Sequence, residues 1–106
     1  MRVRYMRVIL FFDLPTITAK ERKAYSRFRK NLIKEGFLMM QESVYAKLVI
    51  NPTSAQLLRN RLKKMVPDNG LVQILTVTEK QYAGIDNLIG RVNTNVLNVT
   101  DRLVIF

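Results

Sequence analysis

An α+β domain, two helices covering one face of a small antiparallel sheet, is predicted by three features of this sequence. Met6, Val8, Leu10 and Phe12 alternate with Tyr5, Arg7, Ile9, Phe11 and Asp13, which is the period of a strand. Ala24, Tyr25, Phe28 and Leu32 recur at i, i+1, i+4 and i+8, which covers one face of a helix. The chain has 106 residues, of which 48% are hydrophobic, enough for one core and too few for two. A single domain over 1–106 is therefore expected.

The elements follow in order. The first strand closes on Asp13-Leu14-Pro15, ordinary turn chemistry. Thr18 and Glu21 stand at capping-box spacing, so a helix is predicted over 19–34, stopped by Gly36. Residues 37–40 and 43–50 read as a strand interrupted or bent near Gln41-Glu42. Asn51-Pro52-Thr53-Ser54 supplies a cap and a first-turn proline for a second helix. That helix should bury Leu58, Leu62 and Met65 and end at Pro67-Asp68-Asn69-Gly70. A strand over 71–77 comes next, then a polar stretch, 78–83, of one helical turn. Residues 85–89 read as a further strand, 90–100 as an Asn-rich loop and 102–106 as a terminal strand. The order βαββαβ with an appended C-terminal strand is the ferredoxin-like split βαβ arrangement.

The sheet of such a fold has one open face, and here that face is apolar. Ile9 and Phe11 point away from Met6, Val8, Leu10 and Phe12. Leu71, Leu75 and Val77 point away from Val72 and Ile74. A sheet apolar on both sides needs a second cover, and no third long helix is available. A homodimer stacked sheet to sheet is the expected solution, with residues 103–106 as a spare strand for pairing along an edge.

Composition narrows the chemistry. A net charge of +10 and a pI near 10.4 favour a polyanionic partner. No apolar run approaches a bilayer span and no signal peptide is visible, so no membrane association is expected. Without cysteine there are no disulfides and no thiolate zinc site, and a reducing cytoplasm is the expected compartment. Without histidine the usual general base and the commonest metal ligand are missing. Any phosphodiester chemistry must then rest on carboxylates and a hard cation such as Mg2+. Asp13 is the candidate: a carboxylate held at a strand end in a positive field suits a phosphate approached through a metal ion. The plainer alternative is that it only begins a turn.

On the first helix Lys20, Lys23, Arg27, Lys30 and Lys34 form one stripe, with Arg22 and Arg29 beside the apolar face. At ~1.5 Å per residue the stripe runs roughly 21 Å, several phosphates along a duplex. Glu21 and Glu35 are the only acids near it, whereas an ordinary solvated face intersperses both signs. Arg59, Arg61, Lys63 and Lys64 add to the charge on the second helix. Arg22, Lys23, Arg27, Lys30 and Lys34 are the candidate phosphate contacts. The strand over 71–77 has no aromatic residue on which bases could stack, so backbone binding with little base readout is expected. DNA and RNA both satisfy that description.

Three motifs carry a family resemblance. Phe11-Phe12-Asp13 ends the first strand, Gln41-Glu42-Ser43-Val44-Tyr45 opens the second, and Leu75-Thr76-Val77-Thr78-Glu79-Lys80-Gln81-Tyr82 follows the third. Together, in this order and at this length, they resemble the CRISPR-associated Cas-two proteins over nearly the whole chain, with most similarity to members from type II systems. The resemblance implies a ferredoxin-like homodimer at the centre of a spacer-acquisition complex. Two dimers of the Cas-one integrase would flank it, with a double-stranded prespacer DNA across its basic surface. It also implies that Asp13 and its twofold mate lie near one another, as the magnesium-dependent endonuclease site described for many relatives. Two departures bear on that site. Phe12 stands where the family commonly has tyrosine, and Met39 and Met40 stand where some nuclease-active relatives have a basic residue before the Gln-x-Ser-Val motif.

Overall fold

The computed structural model describes residues 5–90 of the chain. Strand β1 (Met6–Asp13) is followed by helix α1 (Ala19–Lys34), strands β2 (Leu38–Gln41) and β3 (Val44–Val49), helix α2 (Pro52–Lys63), strand β4 (Leu71–Thr78) and a short helix α3 (Glu79–Ala83). The strands form one antiparallel sheet in the order β2-β3-β1-β4, the ferredoxin-like arrangement expected from the sequence. Both long helices begin where the sequence places them. Thr18 and Glu21 form a reciprocal capping box at the start of α1, and the Asn51 side chain accepts from the Ser54 N–H at 2.7 Å. At the other end of α1, Gly36 takes φ +97°, the Gly36 N–H returns to the Ile33 carbonyl and the Phe37 N–H to the Leu32 carbonyl. This is a Schellman stop, completed by the burial of Phe37 and Leu32.

Pairing register fixes the two faces of the sheet. Val8, Leu10 and Phe12 share one face with Tyr45, Val49, Val72 and Ile74, and there they meet Phe28 and Leu32 of α1 and Ala55, Leu58 and Leu62 of α2. Met65 packs against this core from just beyond α2. Phe12 lies within an aromatic cluster, edge-on to Tyr25 and Phe28 at 5.8 and 5.5 Å and stacked on Tyr45 at 5.7 Å. The Tyr45 hydroxyl, buried with its ring, accepts from Arg29 Nε at 2.8 Å.

The opposite face is apolar, as alternation predicts. Phe11, Leu38, Leu48, Leu71 and Leu75 are exposed on it, while Ile9 and Ala46 at its centre are shielded by their neighbours. The edges differ. β2 has four residues and an irregularity in register between Met39 and Gln41, whereas β4 has eight residues in unbroken register with β1.

Three expectations are overturned. Residues 37–50 are not one bent strand: the chain reverses at Glu42-Ser43, and β2 and β3 pair antiparallel. Helix α2 stops at Lys63, where the Lys64 N–H turns back to the Arg61 and Leu62 carbonyls, short of Pro67-Asp68-Asn69-Gly70. Residues 85–89 form no strand: after α3 the chain turns at Gly84 and runs as coil, with Leu88 and Ile89 more than nine-tenths exposed. Three apolar residues in five gave a strand-like composition, but among the described residues no strand pairs with them. The Asn-rich loop beyond Gly90 and the terminal strand over 102–106 lie outside the described residues. Among the described residues no helix is long and apolar enough to cross a membrane.

Candidate nucleic-acid interface and the Asp13 rim

The outer face of α1 carries the cations that helical periodicity places there. Lys20, Lys23, Arg27, Lys30 and Lys34 are all exposed. None takes part in the two ion pairs found among the described residues, Arg7–Glu79 and Arg61–Glu35. Because α1 buries Phe28 and Leu32 against the sheet, the stripe is turned outward by the same periodicity that builds the core.

Arg22 has a different position from the other four candidates. Its guanidinium donates to the Ile17 carbonyl at 2.6 Å and to the Thr16 carbonyl at 3.3 Å, fastening the β1–α1 connection. Lys23, Arg27, Lys30 and Lys34 thus share the outward face, with Lys20 at its start, while Arg22, also on α1, turns its guanidinium back onto the preceding loop. Neighbouring cations are engaged similarly. Arg29 holds the Tyr45 hydroxyl, Arg59 donates to Thr76 Oγ1 at 2.8 Å, and Lys47 Nζ donates to the Glu35 carbonyl. Arg61 binds the Glu35 carboxylate through Nε and Nη2, and that carboxylate holds its guanidinium above the usual value. Sequence periodicity cannot distinguish these cations from the stripe, because the difference lies in where each long side chain ends.

Asp13 closes the central strand. It pairs across the sheet with Leu71, is exposed, and lies on the open face rather than the core face. The strand end is fixed on both sides: the Phe12 N–H donates to the Ser43 carbonyl at 3.0 Å, and Gly70 packs against the Asp13 carbonyl and Leu14. Gly70 has φ +105°, and a Cβ there would lie 2.8 Å from the Asp13 oxygen. A recess of about 200 Å³ opens nearby on the helix side, bounded by Leu14, Pro15, Tyr25, Asp68 and Asn69; Asp13 does not line it.

The departure at position 12 has a simple geometric reading. Phe12 and Asp13 are consecutive residues of a strand, so their side chains leave from opposite faces, and the ring is in the core. The residue type at position 12 therefore bears on packing under Asp13, without direct contact with its carboxylate. Met39 likewise packs against the core.

Among the described residues no three acids cluster as a metal would need, and Asp13 brings one carboxylate to its end of the sheet.

Periodicity alone missed one cluster on the open face. Arg7 is 4% exposed, pairs through Nε with Glu79 Oε1 at 2.5 Å, and places its guanidinium 4.4 Å from the centre of the Tyr82 ring. The signal was present: an arginine in the middle of an apolar strand face must find an acid.

Comparison with known proteins places this geometry in a family context. The family model described as CRISPR associated protein Cas2 matches residues 6–85. A Treponema denticola protein named CRISPR-associated endoribonuclease Cas2 is 54% identical over 100 residues, covering 94% of this chain and 99% of its own. A Streptococcus mutans protein of the same name is 50% identical over 99 residues, covering 93% and 91%. A solved structure described as the crystal structure of cas2 superposes with a TM-score of 0.58 at 24% identity, covering 90% of this chain and 98% of that one, which supports the fold.

Proposed function

The chain belongs to the CRISPR-associated protein Cas2 family, and on that premise we propose that it is the scaffold subunit of a spacer-acquisition complex. In this reading a homodimer binds a prespacer duplex by its phosphates and bridges two Cas-one integrase dimers. The observation that carries it is the division of labour between faces. The helix layer presents a row of exposed cations outside the ion pairs of the described residues, and the sheet face presents apolar side chains. One suits a polyanion and the other a second copy. Backbone binding of this kind releases counterions, so affinity should fall steeply with salt.

The test is duplex binding across a salt series by wild type and by the triple variant Lys23→Glu, Arg27→Glu, Lys30→Glu. We expect the variant to bind at least 100-fold more weakly at low salt, with a log–log salt slope shallower by about 3, roughly one per lost phosphate contact. Unchanged affinity and slope would refute the assignment.

A second reading is favoured by the name its relatives bear, endoribonuclease, and by the position of Asp13 at the rim of the open face. It has Asp13 and its mate in a second copy forming a Mg2+-dependent nuclease site. Magnesium so held would polarise a phosphodiester and activate water. Spacer integration and RNA cleavage, each measured with wild type and Asp13→Ala, separate the two. Integration that needs the protein but tolerates Asp13→Ala supports the scaffold. Magnesium-dependent cleavage abolished by Asp13→Ala supports the nuclease.

A further inference from the structure

We infer that Arg7, Glu79 and Tyr82 form a bracket that neutralises the open sheet face and sets where a second copy docks on it. The inference rests on the homodimer proposed above and goes beyond it by assigning the residues that position the partner. The face is best followed in rows across the strands. Arg7 is flanked by Leu48 and Val77, Ile9 by Ala46 and Leu75, Phe11 by Val44 and Gln73, and Asp13 is flanked by Leu71 on β4. Helix α3 turns back over the first of these rows. Its start is fixed by a capping box between Thr78 and Gln81, and its side chains Glu79 and Tyr82 close over the Arg7 guanidinium. Among the described residues no other element covers the rows of Ile9, Phe11 and Asp13, and Phe11, Leu71 and Leu75 are 37, 54 and 52% exposed there.

Charge selects the occupant. A chain of net charge +10 is repelled by its own copies over most of its surface. Among the described strand residues of the open face only two are charged, Arg7 and Asp13. Arg7 is paired and covered, so this is the surface on which two copies can approach without cation meeting cation. A nucleic acid would find no exposed cation on those strands. The thickness of α3 keeps a partner off the Arg7 row and displaces it toward the Asp13 end. The motif that ends β4 and opens α3 thereby acquires a physical role, in which Thr78 and Gln81 start the helix while Glu79 and Tyr82 pin it.

The absence of cysteine makes the register directly measurable. Single cysteines are introduced by Gln73→Cys, in the Phe11 row, and by Val77→Cys, in the Arg7 row, and each is treated with a short bis-maleimide. Self-association is followed in parallel by sedimentation velocity over a concentration series. For the otherwise wild-type chain we expect covalent dimers from Gln73→Cys and none from Val77→Cys. In Glu79→Gln, which leaves the buried Arg7 charge without its carboxylate, we expect the dimer dissociation constant to rise at least 10-fold. Tyr82→Leu keeps both charges but loosens the bracket, and should allow cross-linking at Val77→Cys. Circular dichroism confirms that each variant retains the sheet.

A wild-type chain that remains monomeric at every concentration would sink the homodimer itself. A wild-type dimer whose dissociation constant and cross-linking positions are unchanged by both Glu79→Gln and Tyr82→Leu would leave the dimer standing and overturn the bracket.

Discussion

At the scale of single residues, the end of β1 is the most constrained point of the fold. Gly70 takes a left-handed conformation while its α-carbon faces the Asp13 carbonyl and the Leu14 side chain. A methyl group there meets backbone oxygen, which cannot rotate away. Gly70→Ala should cost about 2–3 kcal/mol, combining an unfavourable φ with displacement of the strand end. A urea titration checks this, and a midpoint within error of wild type would contradict it. Phe12→Ala should cost more, about 3–5 kcal/mol, because its ring is the hub of the contacts with Tyr25, Phe28 and Tyr45. Both the core role of Phe12 and the outward direction of Asp13 were legible from strict alternation. The engagement of Arg22, Arg29, Arg59 and Arg61 was not. Sequence spacing fixes where an arginine leaves a helix, but its flexible side chain can end on a carbonyl, a hydroxyl or a carboxylate.

At the scale of elements, local chemistry sets the boundaries. The Glu21 carboxylate accepts from the Thr18 and Ile17 N–H groups, and these bonds, led by that to Thr18, hold its carboxyl below the ordinary glutamate value. A carboxyl lowered by folding stabilises the fold at pH above its unfolded value, and that stabilisation is lost as pH falls through the folded value. Glu21→Gln should therefore flatten the acid limb of the stability–pH profile and leave the neutral-to-basic region parallel to wild type. A variant whose acid limb matches wild type would show that the cap contributes nothing to folding. Helix α1 was legible to the residue, and so was the start of α2, because caps are local; α2 ends at Lys63, short of the Pro67–Gly70 stop that the sequence offered. Residues 85–89 were not legible, because composition can give a strand-like apolar content while only a partner strand can make one. The bracket over Arg7 was half legible: alternation placed an arginine on an apolar face, but no local rule predicts that an acid seventy-two positions later reaches it.

At the scale of the whole molecule, the two faces oppose each other in chemistry. Placing a cation in the middle of the apolar face tests the consequence. Leu75→Lys lies in the Ile9 row and is half-exposed in the single chain, so the fold should tolerate it. Across the twofold contact proposed above it would bring like charges together, and the dissociation constant of that dimer should rise about 100-fold, read by sedimentation equilibrium. Duplex binding per chain at α1 should persist, though with lower avidity once the two stripes are no longer joined. Loss of folding in Leu75→Lys, rather than of association alone, would mean that the open face belongs to the core of a single chain.

The unlike edges of the sheet have a bearing on how large an assembly can become. A sheet with two equivalent, regular margins can recruit copies from both sides and lengthen without limit. Here one margin is a four-residue strand with a break in register, a poor template for another chain, and the other is a regular strand of eight. Among the described residues, strand addition therefore has one good template, β4, and one poor one, β2, so the sheet offers no matched pair of margins along which copies could repeat.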